Sequence, residues 1–273
     1  MMLSAGCSSL MSGVTNNFAE QLQATVSEHN DPELIKEAIP AYMLFTESML
    51  QSDPENVSVL ASSADLYSTY SSAFVNDPER QSKLAQRGFD YAKRALCAMD
   101  EDYCGFTKQN FQEFTANLQE LDSEDEITVL FSLGAAWGNW VKANSADFNA
   151  IADISKITAV MEHIVAIDEN YKQGSAHVYL GIIATLIPPS FGGKPEKGRE
   201  HFERAWSLSH EQNYMVQVVY AQQYARMMFD RELHDRLLHD VLSRPIERNQ
   251  YSLSNFLAQQ QARALLESAD DYF

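Results

Sequence analysis

The sequence predicts an all-α protein, and three of its properties lead to that prediction. Apolar residues recur every three or four positions along nearly the whole chain, for example at Leu34, Ala38 and Ala41. This is the spacing of helices that bury one face. The 273 residues include 11 Gly and 8 Pro, which are few for the many turns of an all-β protein. Apolar residues make up 45% of the chain, enough to build a hydrophobic core.

Several helix starts can be read from capping residues and prolines. Pro40 interrupts the first apolar run and predicts a kink or a helix start at that point. The first helix is predicted to end at Asp53, and a second helix is predicted over Asn56–Val75. The next helix is predicted to start at Asp77, which is followed directly by a proline. The last helix is predicted over Leu253–Leu266, where it would cap a stack of helices.

The stretch Leu180–Ser209 carries the clearest helical hairpin. Gly181 in its first segment, with Gly198 and Phe202 in its second, matches the small and aromatic positions of a tetratricopeptide repeat (TPR). In that motif the small residues let two helices approach closely and the aromatic ring fills the gap. Less regular copies share a small residue in the first helix, at Ala64, Gly134 and Ala221. We predict one superhelical domain over residues 31–273, with about four degenerate helix pairs and a C-terminal capping helix.

The connection Pro188–Gly198 inside this hairpin is longer than a TPR requires. Two prolines stiffen the exit from the first helix, and two glycines permit positive φ and close backbone approach. Basic residues then stand near the start of the next helix, where free N–H groups favour anions. The loop is either a binding element or only a connection. The residues that we assign to partner binding or pore lining are Pro188, Pro189, Gly192, Gly193, Lys194 and Arg199.

Aromatic residues on predicted first helices form a second candidate site. The first helices of TPR units line the concave face of the superhelix. The aromatic set is Trp137, Tyr179, Tyr220 and Tyr224. If these rings converge, they form an apolar ligand cavity with hydroxyl groups, and Arg226 would pair with a ligand carboxylate. The alternative is that the rings are ordinary core residues.

No catalytic constellation is found in the sequence. Of the seven histidines, His234 and His239 are close in the chain, but their spacing puts them on different helix faces, unlike a zinc-binding His pair. The Gly-Gly-Lys run that ends at Lys194 is not a P-loop, because Pro195 replaces the required Ser or Thr. We therefore predict that the protein is not an enzyme and binds neither a metal nor a cofactor.

Charge and hydropathy restrict the partners. The formal net charge of −18 argues against nucleic acid, whose phosphates would be repelled over much of the surface. No run of 18 apolar residues is present, so we expect no membrane-spanning helix. Any attachment to a membrane would therefore need an anchor other than a membrane-spanning helix.

The first ten residues suggest such an anchor. The run Leu3–Cys7 resembles the lipobox of bacterial lipoproteins, in which small residues precede an acylated cysteine. Residues 1–7 would be the rest of a signal with Cys7 lipidated, and residues 8–30 a tether and first helix. Serines after Cys7 resemble the sorting pattern for the outer membrane of a Gram-negative bacterium. The alternative is a cytosolic N-terminus with a lone thiol.

Two further cysteines, Cys97 and Cys104, lie close together in the chain. In an oxidising periplasm they could form a disulfide that closes a short loop. Two unlinked buried thiols are the alternative.

Beyond the repeat pattern, the chain resembles a particular family from about Pro32 to Phe273. The runs that carry the resemblance include Asp65-Leu66-Tyr67, Ala73-Phe74-Val75, Ala135-Ala136-Trp137, Pro188-Pro189, Gly192-Gly193-Lys194-Pro195 and Phe229-Asp230-Arg231. They are similar to the T component of TPR-associated tripartite ATP-independent periplasmic (TRAP) transporters. The resemblance implies a periplasmic lipoprotein that assembles as a homotrimer and binds the substrate-binding P component, with a small hydrophobic organic ligand passing between them. The competing hypothesis is a structural TPR adaptor that binds another protein and has no ligand cavity.

Overall fold

The computed structural model of this chain describes residue 21 and residues 24–273. These residues form helices and connecting loops, with no strand in the described ranges. The all-α prediction is therefore confirmed for this part of the chain. Cys7 lies outside it, as does most of the tether predicted over residues 8–30.

The helices follow one another with short connections. They are α1 (Pro32–Ser52), α2 (Val57–Phe74), α3 (Pro78–Met99), α4 (Phe111–Leu118), α5 (Glu124–Ala143), α6 (Phe148–Ala152), α7 (Ile154–Ile167), α8 (Ser175–Ala184), α9 (Pro195–Leu208), α10 (Tyr214–Tyr220), α11 (Arg231–Ser243), α12 (Ser252–Glu267) and α13 (Ala269–Tyr272). A π-helical turn, Ala221–Ala225, follows α10 directly. Within the described residues, each helix is too short or too polar to span a lipid bilayer.

Side-chain caps are present at two of the helix starts that the sequence predicts. The side chain of Asn56 accepts a hydrogen bond from the Val59 N–H at 3.0 Å, and Asp77 does the same for Arg80 at 2.8 Å. Such caps satisfy backbone donors that have no partner inside the helix. The helix start proposed at Pro40 is wrong, because α1 begins at Pro32 and continues through Pro40.

Consecutive helices pack against each other in pairs, notably α2 with α3, α8 with α9, and α11 with α12. In the α8–α9 pair a Cβ atom on Gly181 would lie 2.6 Å from the Phe202 ring. A Cβ atom on Gly198 would lie 2.9 Å from the Gly181 carbonyl oxygen. The close helix contact predicted at these small residues is therefore present, and the Phe202 ring fills the space beside it.

We expect Gly181→Ala to lower the free energy of unfolding by about 2 kcal/mol, because the added methyl group would overpack the fully buried Phe202 ring. Chemical denaturation would measure the change. Gly138→Ala is the matched control, since a Cβ atom there meets Tyr179 at an ordinary 3.8 Å. Equal stability of the two variants would contradict this account of the α8–α9 contact.

The apolar core consists of several buried clusters. The largest contains residues of every helix from α1 to α8 and surrounds the fully buried Trp137. A second cluster joins α10, α11 and α12 through residues such as Val218, Leu238 and Ala258. The hairpin α8–α9 contacts both clusters: Ala176 and Leu180 of α8 belong to the first, and Trp206 of α9 packs against the second.

Cys97 and Cys104 form a disulfide at the end of α3. This is the first of the two alternatives that the sequence left open. Disulfides persist in oxidising compartments and are rare in the cytosol. The bond is therefore consistent with an exported protein.

Candidate functional site

The candidate site begins in the connection between α8 and α9. After α8 ends, Pro189–Phe191 form a single 3-10 turn, and Gly192 follows with φ of +84°. Helix α9 starts at Pro195, so Gly198 and Arg199 are helical. The loop predicted to extend to Gly198 therefore ends earlier, at Lys194.

The two glycines hold this loop in a fixed shape. The N–H of Gly193 donates to the Pro188 carbonyl at 3.1 Å. A Cβ atom on Gly193 would lie only 1.7 Å from the Ile187 carbonyl oxygen, so the position accepts no side chain. Gly192 provides the left-handed conformation that other residues rarely adopt. The predicted close approach and positive φ are thus both present.

Apolar side chains stand out from this fixed loop into solvent. Phe191 is 82% exposed, and Leu186 and Ile187 are also exposed. We call Leu186, Ile187 and Phe191 the loop patch. Pro188, Pro189 and Lys194 are exposed beside it. Grouped exposed apolar residues are unusual on a monomeric protein and mark interaction sites more often than single ones do.

A cleft of about 250 Å³ lies beside α9, the helix that follows the loop. It is lined by Arg199, Glu203, Tyr220, Tyr224, Asp230, Glu232, Leu233 and Arg236. The Tyr224 hydroxyl donates to Glu196 at 2.6 Å, and the Tyr220 hydroxyl to Glu203 at 3.4 Å. Arg199 bonds Glu203 at 2.9 Å. The lining is thus mainly charged or hydroxylated.

Electrostatics keep the cleft hydroxyls protonated. Burial is the main reason that the pKa of Tyr220 is raised, and the negative charge of Glu203 raises it further. Burial also raises the pKa of Tyr224, together with its hydrogen bond to Glu196. Both phenols are therefore protonated at neutral pH and act as hydrogen-bond donors.

The π-helical turn Ala221–Ala225 forms part of the cleft wall. It follows Tyr220 and contains Tyr224, whose rings are 5.4 Å apart. Such turns are rare and occur often at functional sites, because the extra residue re-aims the side chains around it. The turn is thus an independent reason to regard this cleft as a candidate site.

The four predicted cavity rings do not converge on one space. Trp137 is fully buried against Phe89, at 5.3 Å between ring centres, and its Nε1 donates to Asp153 at 3.1 Å. Tyr179 packs edge-on against Phe131 in the same core cluster. The prediction of one shared cavity is wrong, because only Tyr220 and Tyr224 face the cleft.

Arg226 also has a different place from the predicted one. Its guanidinium donates to the Leu265 carbonyl at 2.9 Å and to the Ser268 hydroxyl at 2.7 Å. It also lies 4.7 Å above the Tyr272 ring. These contacts bind the C-terminal helices together and leave Arg226 outside the cleft lining. The basic residue that sequence reasoning missed is Arg236, which stands on α11 and reaches the cleft.

His234 and His239 lie on different faces of α11, as predicted. His234 is fully buried and bonds Asp235 at 2.8 Å, whereas His239 is exposed. In the part of the chain that the structure describes, no group of three or more His, Cys, Asp or Glu side chains could hold a metal ion.

Comparison with known families decides the identity of the chain. A family model described as TRAP transporter T-component matches residues 28–273. The chain belongs to this family. No curated protein matches it in a sequence search. Membership assigns the T-component an accessory role in TRAP transport and an extracytoplasmic place of action, and it identifies a class of protein that is not typically enzymatic.

Proposed function

We propose that this T-component docks the substrate-binding P component of its TRAP transporter through the loop patch. The observation that carries the proposal is the exposure of Phe191, Leu186 and Ile187 on a loop that its own backbone holds in shape. A fixed apolar anchor is effective in an interface because little conformational entropy is lost when a partner covers it. Lys194 beside the patch adds a positive charge that an acidic partner surface would complement.

We further propose that the helix pairs stack as degenerate TPR units in one domain over residues 31–273. The pairing of α2 with α3, α8 with α9 and α11 with α12 supports this arrangement. In such a stack each pair covers the apolar face of the next one, and α12 would close the C-terminal end. We also propose a homotrimer as the assembled form, which is what the resemblance of the sequence to T components implies.

The place of action that we propose is the periplasm, with a lipid on Cys7 as the anchor to the outer membrane. The lipobox-like run before Cys7 supports the anchor. The Cys97–Cys104 disulfide supports an oxidising compartment. A lipid-anchored docking protein would hold the P component near the membrane surface.

For a ligand that passes between the two proteins we propose the cleft beside α9. Its lining holds two arginines, three acidic residues and two tyrosines, which suits a solute with charged groups better than a purely apolar one. The adaptor hypothesis, without a ligand cavity, is favoured by one observation. The Trp137 ring, which was expected to line a cavity, is packed in the core.

Phe191→Ser is expected to weaken binding of the P component by about 30-fold, the effect of losing an interface anchor worth about 2 kcal/mol. Titration calorimetry with the purified P component would measure the dissociation constant. Phe148→Ser is the matched control, because Phe148 is 86% exposed on α6. Thermal unfolding of both variants should match that of the unmodified protein. If both variants bind as the unmodified protein does, the loop patch is not the docking surface.

A further inference from the structure

Two histidines face each other inside the α8–α9 hairpin that carries the loop patch. His177 lies near the start of α8 and is buried, and His201 lies on α9 and is half-buried. Their Nδ1 atoms are 2.8 Å apart, and their ring centres 5.1 Å apart. Neither docking nor the cleft uses this pair.

Neighbouring charged groups determine which protons the pair can hold. The Nε2 atom of His177 lies 3.2 Å from the Glu169 carboxylate. Arg204 bonds the same carboxylate at 2.7 Å and lowers the pKa of Glu169 to about 2. Glu169 is therefore an acceptor at any ordinary pH, so the Nε2 atom of His177 must carry a proton to bond it. Lys197 on α9 adds positive charge near His201.

The contact between the two Nδ1 atoms is a hydrogen bond only if one of them carries a proton. When both imidazoles are neutral, the Nδ1 of His201 donates to the Nδ1 of His177. When the pair takes up one proton at the Nε2 of His201, a single hydrogen still lies between the two Nδ1 atoms, and the bond persists. It points in the opposite direction only if that hydrogen moves from the Nδ1 of His201 to the Nδ1 of His177. A second proton, taken up from water, would place two Nδ1–H groups and two positive charges face to face at 2.8 Å. The closed hairpin therefore accepts one extra proton but not two.

We propose that the His177–His201 pair is a pH-sensitive latch, which holds α8 against α9 at neutral pH and releases the hairpin when both imidazoles become protonated. The latch is a property of the hairpin itself, and only its consequence for docking rests on the proposed function. On release, Phe202 would leave its place against Gly181, and the two helices that carry the loop patch would separate.

The pKa values of the pair give the direction of the pH dependence. Burial lowers the pKa of His177, with Glu169 opposing this effect. Burial, with positive charge from His177 and Lys197, lowers the pKa of His201 from 6.5 to about 4. Between pH 6.5 and about pH 4, His201 binds a proton in the open hairpin and does not bind it in the closed one. The closed form is therefore fully stabilised above pH 6.5 and loses that stabilisation as the pH falls towards 4.

Hydrogen exchange of the full chain alone tests the latch without any partner. The opening equilibrium of α8 and α9 should rise by about 20-fold between pH 7 and pH 5, after correction for intrinsic exchange rates. His201→Asn should lose most of this rise, because the asparagine amide can donate to or accept from His177 but cannot be protonated. His239→Asn, which replaces an exposed histidine, should behave as the unmodified protein does. An equal rise in the His201→Asn variant would overturn the latch.

Nuclear magnetic resonance of the imidazoles in the unmodified protein gives a second test, independent of whether the variant folds. At least one imidazole of the pair should stay neutral well below pH 6 while the hairpin remains closed. If both take up protons near pH 6.5 with no faster exchange in α8 and α9, the latch does not exist. Because no P component is present, these outcomes are separate from success or failure of the docking test.

Discussion

Replacing Trp137 with alanine is expected to lower the free energy of unfolding by about 4 kcal/mol, near the top of the usual range for a single substitution. Trp137 is fully buried, and its ring packs between those of Phe89 and Phe114. The substitution would leave a cavity in the largest core cluster and would remove the hydrogen bond from Nε1 to Asp153. Chemical denaturation followed by circular dichroism would measure the loss.

Two control variants separate packing from binding at this position. Trp137→Phe keeps a ring in the core and should recover much of the stability. Phe148→Ala removes a ring that is already exposed and should change stability very little. A Trp137→Ala protein with nearly unchanged stability but no ligand binding would restore the cavity prediction that the structure contradicts.

Cys7→Ser is expected to abolish membrane attachment of the protein expressed from its complete gene. The thiol of Cys7 would carry the acyl chain, and a serine at this position provides no thiol to modify. The protein should appear in the soluble periplasmic fraction or accumulate as an uncleaved precursor. Membrane fractionation with an antibody against the folded domain would measure the distribution.

Ser8→Ala is the control for this experiment, because it alters the neighbouring residue and leaves the thiol intact. It should remain in the membrane fraction. Identical fractionation of the unmodified protein and the Cys7→Ser variant would show that Cys7 is not the anchor. The docking proposal would survive that result, since the loop patch lies in the α8–α9 connection.

Local chemistry made much of the fold predictable from the sequence. Asn56 and Asp77 could be recognised as helix caps because a cap needs only a short polar side chain next to the helix it starts. Gly181, Gly198 and Phe202 could be recognised as a helix contact because their spacing places them on facing sides of two consecutive helices. The Gly192–Gly193 pair likewise predicted the positive φ and the close approach in the loop.

The candidate site depended on contacts that local spacing does not encode. Periodicity predicted which helix faces carry Trp137 and Tyr224, but not which elements those faces contact. In the structure Trp137 lies in the core and Tyr224 lines the cleft. Arg226 donates hydrogen bonds to Leu265 and Ser268, which lie about 40 residues later in the chain, at the end of α12.

The sequence by itself determined the helices, the tight α8–α9 contact, the constrained loop and the family resemblance that the comparison confirmed. Each of these depends on residues that are neighbours in the chain or in one hairpin. Only the tertiary structure decided the exposure of Phe191, the choice of Arg236 over Arg226 and the meeting of His177 with His201. Burial and ionic partners are fixed when separate helices pack together, and that packing reflects the shape of the whole chain rather than any local pattern.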